Sequence, residues 1–346
     1  MKRLVYFIVK RVTRISVGMF FSRLEIVGTE NIPRNKPLIF APNHQNAFLD
    51  AFMVGSISPV GIHYLTRADV FNNPFRWFLD ALQMMPIYRI RDGFGQLSQN
   101  AGVFEACRIL FSQTKSVLIF PEGNHGENYY LRPLTKGISR LALESQEELK
   151  DKELWIQPVG LNYFDLRRPR RKASVVFGKP IRVSDYMATY QEKKPKALKD
   201  LRDDVFTRMK ECMFIPDNDE KYEIRKSWLI QRKEHLDFQE MKTFMGEVEE
   251  AAPVKKKYPV LGYIGKLLGV VNYPPLFLMK FLLGKKIKDI VFTASIKWGV
   301  ALFMYPLWWI IIFGIVTAIF GIKIGLVSTA TVISLLYLRQ ELLKLA

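Results

Sequence analysis

The sequence reads as an α/β layer protein with a largely buried sheet, preceded by a helix at a membrane surface and followed by a membrane-crossing helical hairpin. Three observations lead there. Short β-branched and aromatic runs alternate with amphipathic stretches between residues 25 and 185, the first 23 residues are basic and apolar without a single acid, and the C-terminal stretch is nearly devoid of charge.

Composition narrows the class. The 346 residues carry 51 Lys and Arg against 33 Asp and Glu, a formal charge of +18, with 49% hydrophobic residues. Disorder, collagen and coiled coil are excluded on those figures, and the apolar content is ample for a core. Cys107 and Cys212 are too few for a disulfide framework and stand near no metal-ligand spacing, so they read as reduced, non-catalytic thiols. A strongly basic chain usually meets nucleic acid or an anionic membrane surface. No zinc spacing, aromatic RNA-binding block or basic heptad region is present, so no nucleic-acid partner is expected; the placement of the charge points to the anionic membrane surface.

The elements follow in order. Segment 1–24 holds Lys2, Arg3, Lys10, Arg11, Arg14 and Arg23. At about 100° per residue, Leu4, Ile8, Val12, Ile15 and Met19 share one face and Arg3, Lys10 and Arg14 the opposite one, the pattern of an amphipathic helix among lipid headgroups. Recurrent charges and the lack of a small-residue cleavage site argue against a signal peptide; a helix docked on the protein's own core is the competing arrangement. Within 25–185, the runs 38–41, 62–65, 116–120, 155–162 and 173–177 read as strands. Segment 186–255 turns charged and helical, an accessory segment with solvated faces. Segment 256–288 is apolar but broken by glycines and by Pro274 and Pro275, and reads as interfacial.

In 289–346, Lys323 is the one charged residue between Trp298 and Leu338. The stretch 298–322 is long enough to cross a bilayer, whereas 324–338 suffices only if its helix runs past Arg339. Gly321 and Gly325 around Lys323 suit a tight turn, hence a transmembrane helical hairpin, against the alternative of a buried helical core. Lys285, Lys286, Lys288, Lys297, Arg339 and Lys344 gather at the open end, which places that end and the α/β domain on the cytoplasmic side of an inner membrane.

Two blocks carry the chemistry. Pro42, Asn43, His44, Gln45, Asn46, Ala47, Phe48, Leu49 and Asp50 follow a predicted strand. A histidine that takes a proton from a hydroxyl needs its other ring nitrogen held by an acceptor, and a carboxylate does this while steadying the imidazolium. Phe120, Pro121, Glu122, Gly123, Asn124 and His125 end another strand.

Together these blocks resemble the glycerophospholipid acyltransferase family, of the lysophosphatidate acyltransferase type, whose first block is Asn-His with a downstream Asp and whose third is Phe-Pro-Glu-Gly. The resemblance covers roughly 25–185 and implies a mixed, largely buried sheet flanked by helices. Pro86, Ile87, Tyr88 and Arg89 occupy the place of the family's phosphate-holding arginine, with Arg91 the less favoured substitute; Ile156, Gln157, Pro158 and Val159 look like its fourth block, and Lys136 and Gly137 match a frequent Lys-Gly. A guanidinium suits a phosphate because its planar fork donates two hydrogen bonds at full charge. The sequence departs from the pattern in two places. Five residues rather than four separate His44 from Asp50, an extra step of about 100° on a regular helix. Asn124 and His125 stand where the family commonly has Thr and Arg, with His125 read as structural or substrate-adjacent rather than a second base.

The resemblance implies acyl transfer from an acyl thioester, acyl-CoA or acyl carrier protein, to a lysophospholipid acceptor. His44 is the expected general base, oriented by Asp50; Arg89, Glu122, Gly123, Asn124 and Lys136 are the expected substrate-binding residues, with backbone amides near Gly123 facing the oxyanion. Neither metal nor cofactor is expected beyond the thioester co-substrate, and no Ser or Cys nucleophile is placed for a covalent route. Glycerol 3-phosphate and a lyso aminolipid are alternative acceptors, and a membrane-bound scaffold with a degenerate domain is the non-enzyme alternative. The basic run 167–172 could rest on anionic headgroups, receive an acidic carrier protein, or form a solvated loop.

Overall fold

Helix α1 (Lys2–Phe20) leads into strand β1 (Leu24–Val27), followed by β2 (Leu38–Pro42), α2 (Ala47–Ile57), β3 (Ile62–Arg67), α3 (Arg76–Ala81), β4 (Met84–Ile87), α4 (Asn100–Ser112) and β5 (Ser116–Leu118). Then come α5 (Gly137–Glu148), β6 (Trp155–Tyr163), β7 (Ala173–Phe177), β8 (Ile181–Arg182), α6 (Met187–Glu192), α7 (Lys194–Glu211), α8 (Tyr222–Ile230) and α9 (Phe238–Glu247). The chain ends in α10 (Pro259–Leu268), α11 (Tyr273–Phe281), α12 (Thr293–Phe320) and α13 (Ile322–Leu345). This computed structural model describes residues 2–71, 76–88, 100–149, 151–230, 234–253, 258–287 and 289–345.

The strands join one mixed sheet in the order β1-β7-β6-β2-β5-β3-β4, with β8 pairing the early part of β6. From β6 to β4 the neighbours are parallel, while β7 and β8 run antiparallel to β6. Parallel strands need helices on both faces, and β2 shows the consequence: every one of its residues is buried. Because side chains alternate across a strand, Ile39 and Ala41 meet Leu141 and Leu201 of α5 and α7 in one core layer. Leu38 and Phe40 meet Val17 of α1 and Leu49 and Met53 of α2 in the other. Helix α7, in the segment expected to be an accessory with solvated faces, seats Ala197, Leu201, Val205 and Met209 in the first layer without exposure.

Helix α1 docks on the domain along one face and leaves another exposed. Thr13, Val17 and Phe20 are buried against the domain, whereas Leu4, Phe7, Ile8, Val12, Ile15 and Met19 stay exposed, an uncovered apolar stripe of the kind that enters a headgroup layer. Lys10, expected on the solvated face, turns inward and donates to the carbonyls of Ser58 (2.7 Å) and Val60 (3.2 Å).

The basic run 167–172 is likewise divided. Arg171 and Lys172 belong neither to a headgroup surface nor to a solvated loop: they are buried, Lys172 2.8 Å from Glu25 and Arg171 paired with Glu234. Glu25 also accepts from Ser174 and from the backbone N–H of Phe238, so this buried polar group fastens α9 to the β1–β7 edge.

Helices α12 and α13 form the expected hairpin. The two apolar spans cover Ile290–Phe320 and Ile322–Lys344, 31 and 23 residues, and the second continues through Arg339, which gives it the length to cross about 30 Å of hydrocarbon. Gly321 makes the turn with φ +86° and ψ +163°, a conformation taken essentially by glycine alone and costing other residues about 1–3 kcal/mol. Helices α10 and α11 meet at a 47° bend and carry many exposed apolar side chains, including Tyr263, Leu267, Tyr273 and Phe277.

Candidate active site

The site is assembled where β2 gives way to α2. Asn43 leaves the strand by extending its ladder with a side chain: its Oδ1 accepts from Leu161 N (2.7 Å) and its Nδ2 donates to Leu161 O (3.0 Å). His44 follows, held at its backbone by Glu122 Oε1 (3.2 Å from His44 N) and by Gly126 N, which donates to His44 O (3.0 Å).

The residue that lengthens the His-Asp spacing is absorbed by an irregular turn. Ala47 takes φ +44°, so α2 begins out of line with a regular helix and Asp50 swings back toward the strand end. Its Oδ2 lies 2.9 Å from His44 Nδ1 and accepts from the N–H groups of Gln45 and Asn46, each at 2.7 Å. The other oxygen accepts from the hydroxyl of Tyr163. Burial and the adjacent carboxylate push the Tyr163 phenol well above its ordinary range, which keeps it a donor. A carboxylate can only accept, so Nδ1 is the donor of this contact and, in the neutral ring, Nε2 carries the lone pair. Asp50 is fully buried, while the His44 side chain is 14% exposed.

The second block forms the other wall. Phe120 stacks on the His44 ring with centroids 3.6 Å apart and planes at 11°. Gly123 turns the chain with φ +73°, and a Cβ there would lie 2.8 Å from Thr135 Cγ2. Its N–H donates to Phe120 O (3.0 Å), closing the turn. That bond commits the Gly123 amide itself to the turn rather than to a substrate oxyanion.

Glu122 is buried and bonded to groups of this chain, tying the second block to the first. Burial pushes its carboxyl up to about 7 against the opposing pull of Arg132, with which it is ion-paired. Arg132, which the sequence motifs do not single out, also donates to the carbonyls of Asn124, His125 and His44. His125 stands edge-on to His44 at 5.6 Å, with its Nδ1 3.8 Å from Asp289. Lys136 is exposed at the start of α5, next to Thr135, whose N–H and hydroxyl both donate to Pro121 O. Arg89 and Arg91 lie outside the described residues, beyond the end of edge strand β4.

The hairpin reaches the site too. Ser295 of α12 accepts from Leu49 N (3.0 Å) and donates to Asn46 O, capping the start of α2 from another element. Nothing in its local sequence marks this role, nor that of Tyr163.

These features define a histidine-carboxylate pair at a strand-to-helix junction, opposite a Pro-Glu-Gly corner. Residues 23–162 match the Acyltransferase family model. Glycerol-3-phosphate O-acyltransferase 1 of Saccharomyces cerevisiae is 36% identical over 90 residues, 25% of this chain and 12% of that protein. A 1-acyl-sn-glycerol-3-phosphate acyltransferase of Limnanthes alba is 30% identical over 123 residues, 35% of this chain and 41% of that protein. The chain thus spans less than half the length of either curated relative. Among solved structures, the 1-acyl-sn-glycerophosphate acyltransferase PlsC of Thermotoga maritima aligns over 58% of this chain and 78% of its own, at 16% identity and a TM-score of 0.42.

Proposed function

We propose that this chain is a membrane-bound O-acyltransferase that moves a fatty acyl group from acyl-CoA or acyl carrier protein to the hydroxyl of 1-acylglycerol 3-phosphate, giving phosphatidate. The observation that carries the reading is the His44–Asp50 contact at 2.9 Å within the matched domain. The names of the relatives, glycerol-3-phosphate and 1-acyl-sn-glycerol-3-phosphate acyltransferases, support a glycerol-phosphate acceptor.

In this mechanism the acceptor hydroxyl gives its proton to His44 Nε2 while its oxygen attacks the thioester carbonyl. The resulting tetrahedral adduct collapses, the C–S bond breaks, and the imidazolium gives its proton to the departing sulfur, releasing the thiol and restoring the neutral ring. Asp50 keeps Nδ1 protonated and steadies the positive ring. Arg132 and Glu122 hold the corner against which the ring is stacked. Arg89 and Lys136 supply positive charge for the acceptor's phosphate.

The exposed stripe of α1 and the two apolar helices suit a site held at the bilayer, with the catalytic domain facing the cytoplasm. An acceptor used there keeps its chain in the leaflet, avoiding about 0.8 kcal/mol per methylene exposed to water. The test is to offer purified protein a panel of lyso acceptors with both thioester donors, following thiol release and lipid product by mass. His44→Ala is expected to remain folded and membrane-bound while losing roughly 10²–10⁴-fold in rate; near-normal turnover would remove His44 from the mechanism.

A further inference from the structure

A cavity of about 650 Å³ lies among α1, α12 and α13, and the chemistry above does not use it. Val12, Ile15 and Met19 of α1 and Leu302, Tyr305 and Leu336 of the hairpin supply apolar lining. Arg168, Arg170, Lys297, Arg339 and Lys344 line it as well. Carboxylates answer three of these cations: Asp165 stands 3.7 Å from Arg168, and Glu341 stands 3.6 Å from Arg170 and 2.8 Å from Lys344. The other two have none within ion-pair distance among the described residues. Lys297 donates to the carbonyl of Arg167 (2.9 Å), and the Nε of Arg339 is buried without a hydrogen-bond partner.

Unpaired cations gathered against apolar walls are costly unless an anion completes the group. A small anion would satisfy the charges and leave the walls wet, whereas a neutral lipid would cover the walls and leave the charges. A ligand with an anionic head and apolar chains meets both demands. The cavity sits at the open end of the hairpin, where apolar helices meet basic residues; in a membrane-embedded hairpin that end lies at headgroup depth.

We propose that this cavity binds one anionic diacyl phospholipid of the surrounding bilayer, its phosphate between Lys297 and Arg339 and its chains along Val12, Ile15 and Leu302. His44 does not line the cavity. Trp298 lines the cavity and packs against Phe52 (5.3 Å) and Phe48 (6.3 Å) of α2, so the lipid rests against the same part of α12 that carries Ser295 to the catalytic helix. The inference rests on the hairpin being membrane-embedded and does not depend on acyl transfer.

The test uses the full chain in nanodiscs of equal phosphatidylglycerol and phosphatidylcholine, followed by detergent washing and native mass spectrometry of retained lipid. One phosphatidylglycerol should remain, enriched about thirtyfold over phosphatidylcholine by its two unpaired cations. Lys297→Gln with Arg339→Gln should abolish that preference, and His44→Ala should leave it unchanged. Equal retention of the two lipids by the unaltered protein overturns the proposal whether or not the double variant folds. Loss of the lipid in His44→Ala would assign it to the transfer site, and release by 10 mM inorganic phosphate, a concentration of about 10⁻² M set by the assay, would reduce the cavity to a simple anion site; either result also overturns the proposal.

Discussion

Replacing Asp50 by Asn keeps the shape of the side chain and removes its charge. In the structure one carboxylate oxygen accepts from His44 Nδ1 (2.9 Å), Gln45 N and Asn46 N (both 2.7 Å), and the other from Tyr163. A hydrogen bond to a charged group contributes about 1.5–3 kcal/mol and a neutral one about 0.5–1.5, so four bonds that each lose their charge assistance cost roughly 4 kcal/mol. The amide can limit this by aiming its NH₂ at Tyr163, whose hydroxyl rotates to accept, leaving three donors on a neutral oxygen; the expected loss of stability is then about 3 kcal/mol. Transfer should fall further than folding, by roughly 10²–10⁴-fold, because the imidazolium formed during the reaction loses its counter-charge. Thermal unfolding in detergent measures the first quantity, and thiol release from an acyl thioester at saturating acceptor measures the second. An Asp50→Asn protein that is folded and transfers within tenfold of the unaltered chain would refute the assignment of Asp50 as the group that orients the base.

Ala47→Gly should be neutral or stabilising by up to about 1 kcal/mol with transfer retained, since glycine accepts φ +44° without strain, whereas the β-branched Ala47→Val should cost more than about 2 kcal/mol and pull Asp50 from His44; unfolding and thiol release check both. Glu122 has a carboxyl raised to about 7 by burial, so the fold takes up a proton where the unfolded chain is ionised. Stability should therefore decline as pH rises from about 4.5 through 7, by on the order of 3 kcal/mol at most, and Glu122→Gln should flatten that slope in melting curves taken across the interval. Lys172→Met removes the buried ammonium that answers the partly exposed carboxylate of Glu25, which keeps its bonds from Ser174 and Phe238, and should cost about 3 kcal/mol by chemical unfolding, while leaving the two long apolar helices in place.

Much of the architecture was legible locally. The buried strands β2, β3, β5, β6 and β7 announce themselves as β-branched and aromatic runs, whereas β1, β4 and β8, of four, four and two residues, are strands only because a neighbour pairs them. The hairpin was visible because apolar length is a property of the segment itself, and the His44 and Glu122 blocks because each is contiguous. The contact between His44 and Asp50 was not legible, since it depends on one left-handed residue at Ala47. Tyr163, Arg132 and Ser295 reach the first block across 113, 88 and 246 residues of sequence, and Arg171 and Lys172, charged in sequence and so expected at a surface, were taken into the interior by Glu234 and Glu25. Periodicity and composition are set by neighbours along the chain, so the sequence alone determined the layers and the two long apolar helices and singled out the His44 and Glu122 blocks. Which buried donor meets which acceptor is set by where distant segments cross, and only the tertiary structure decided that.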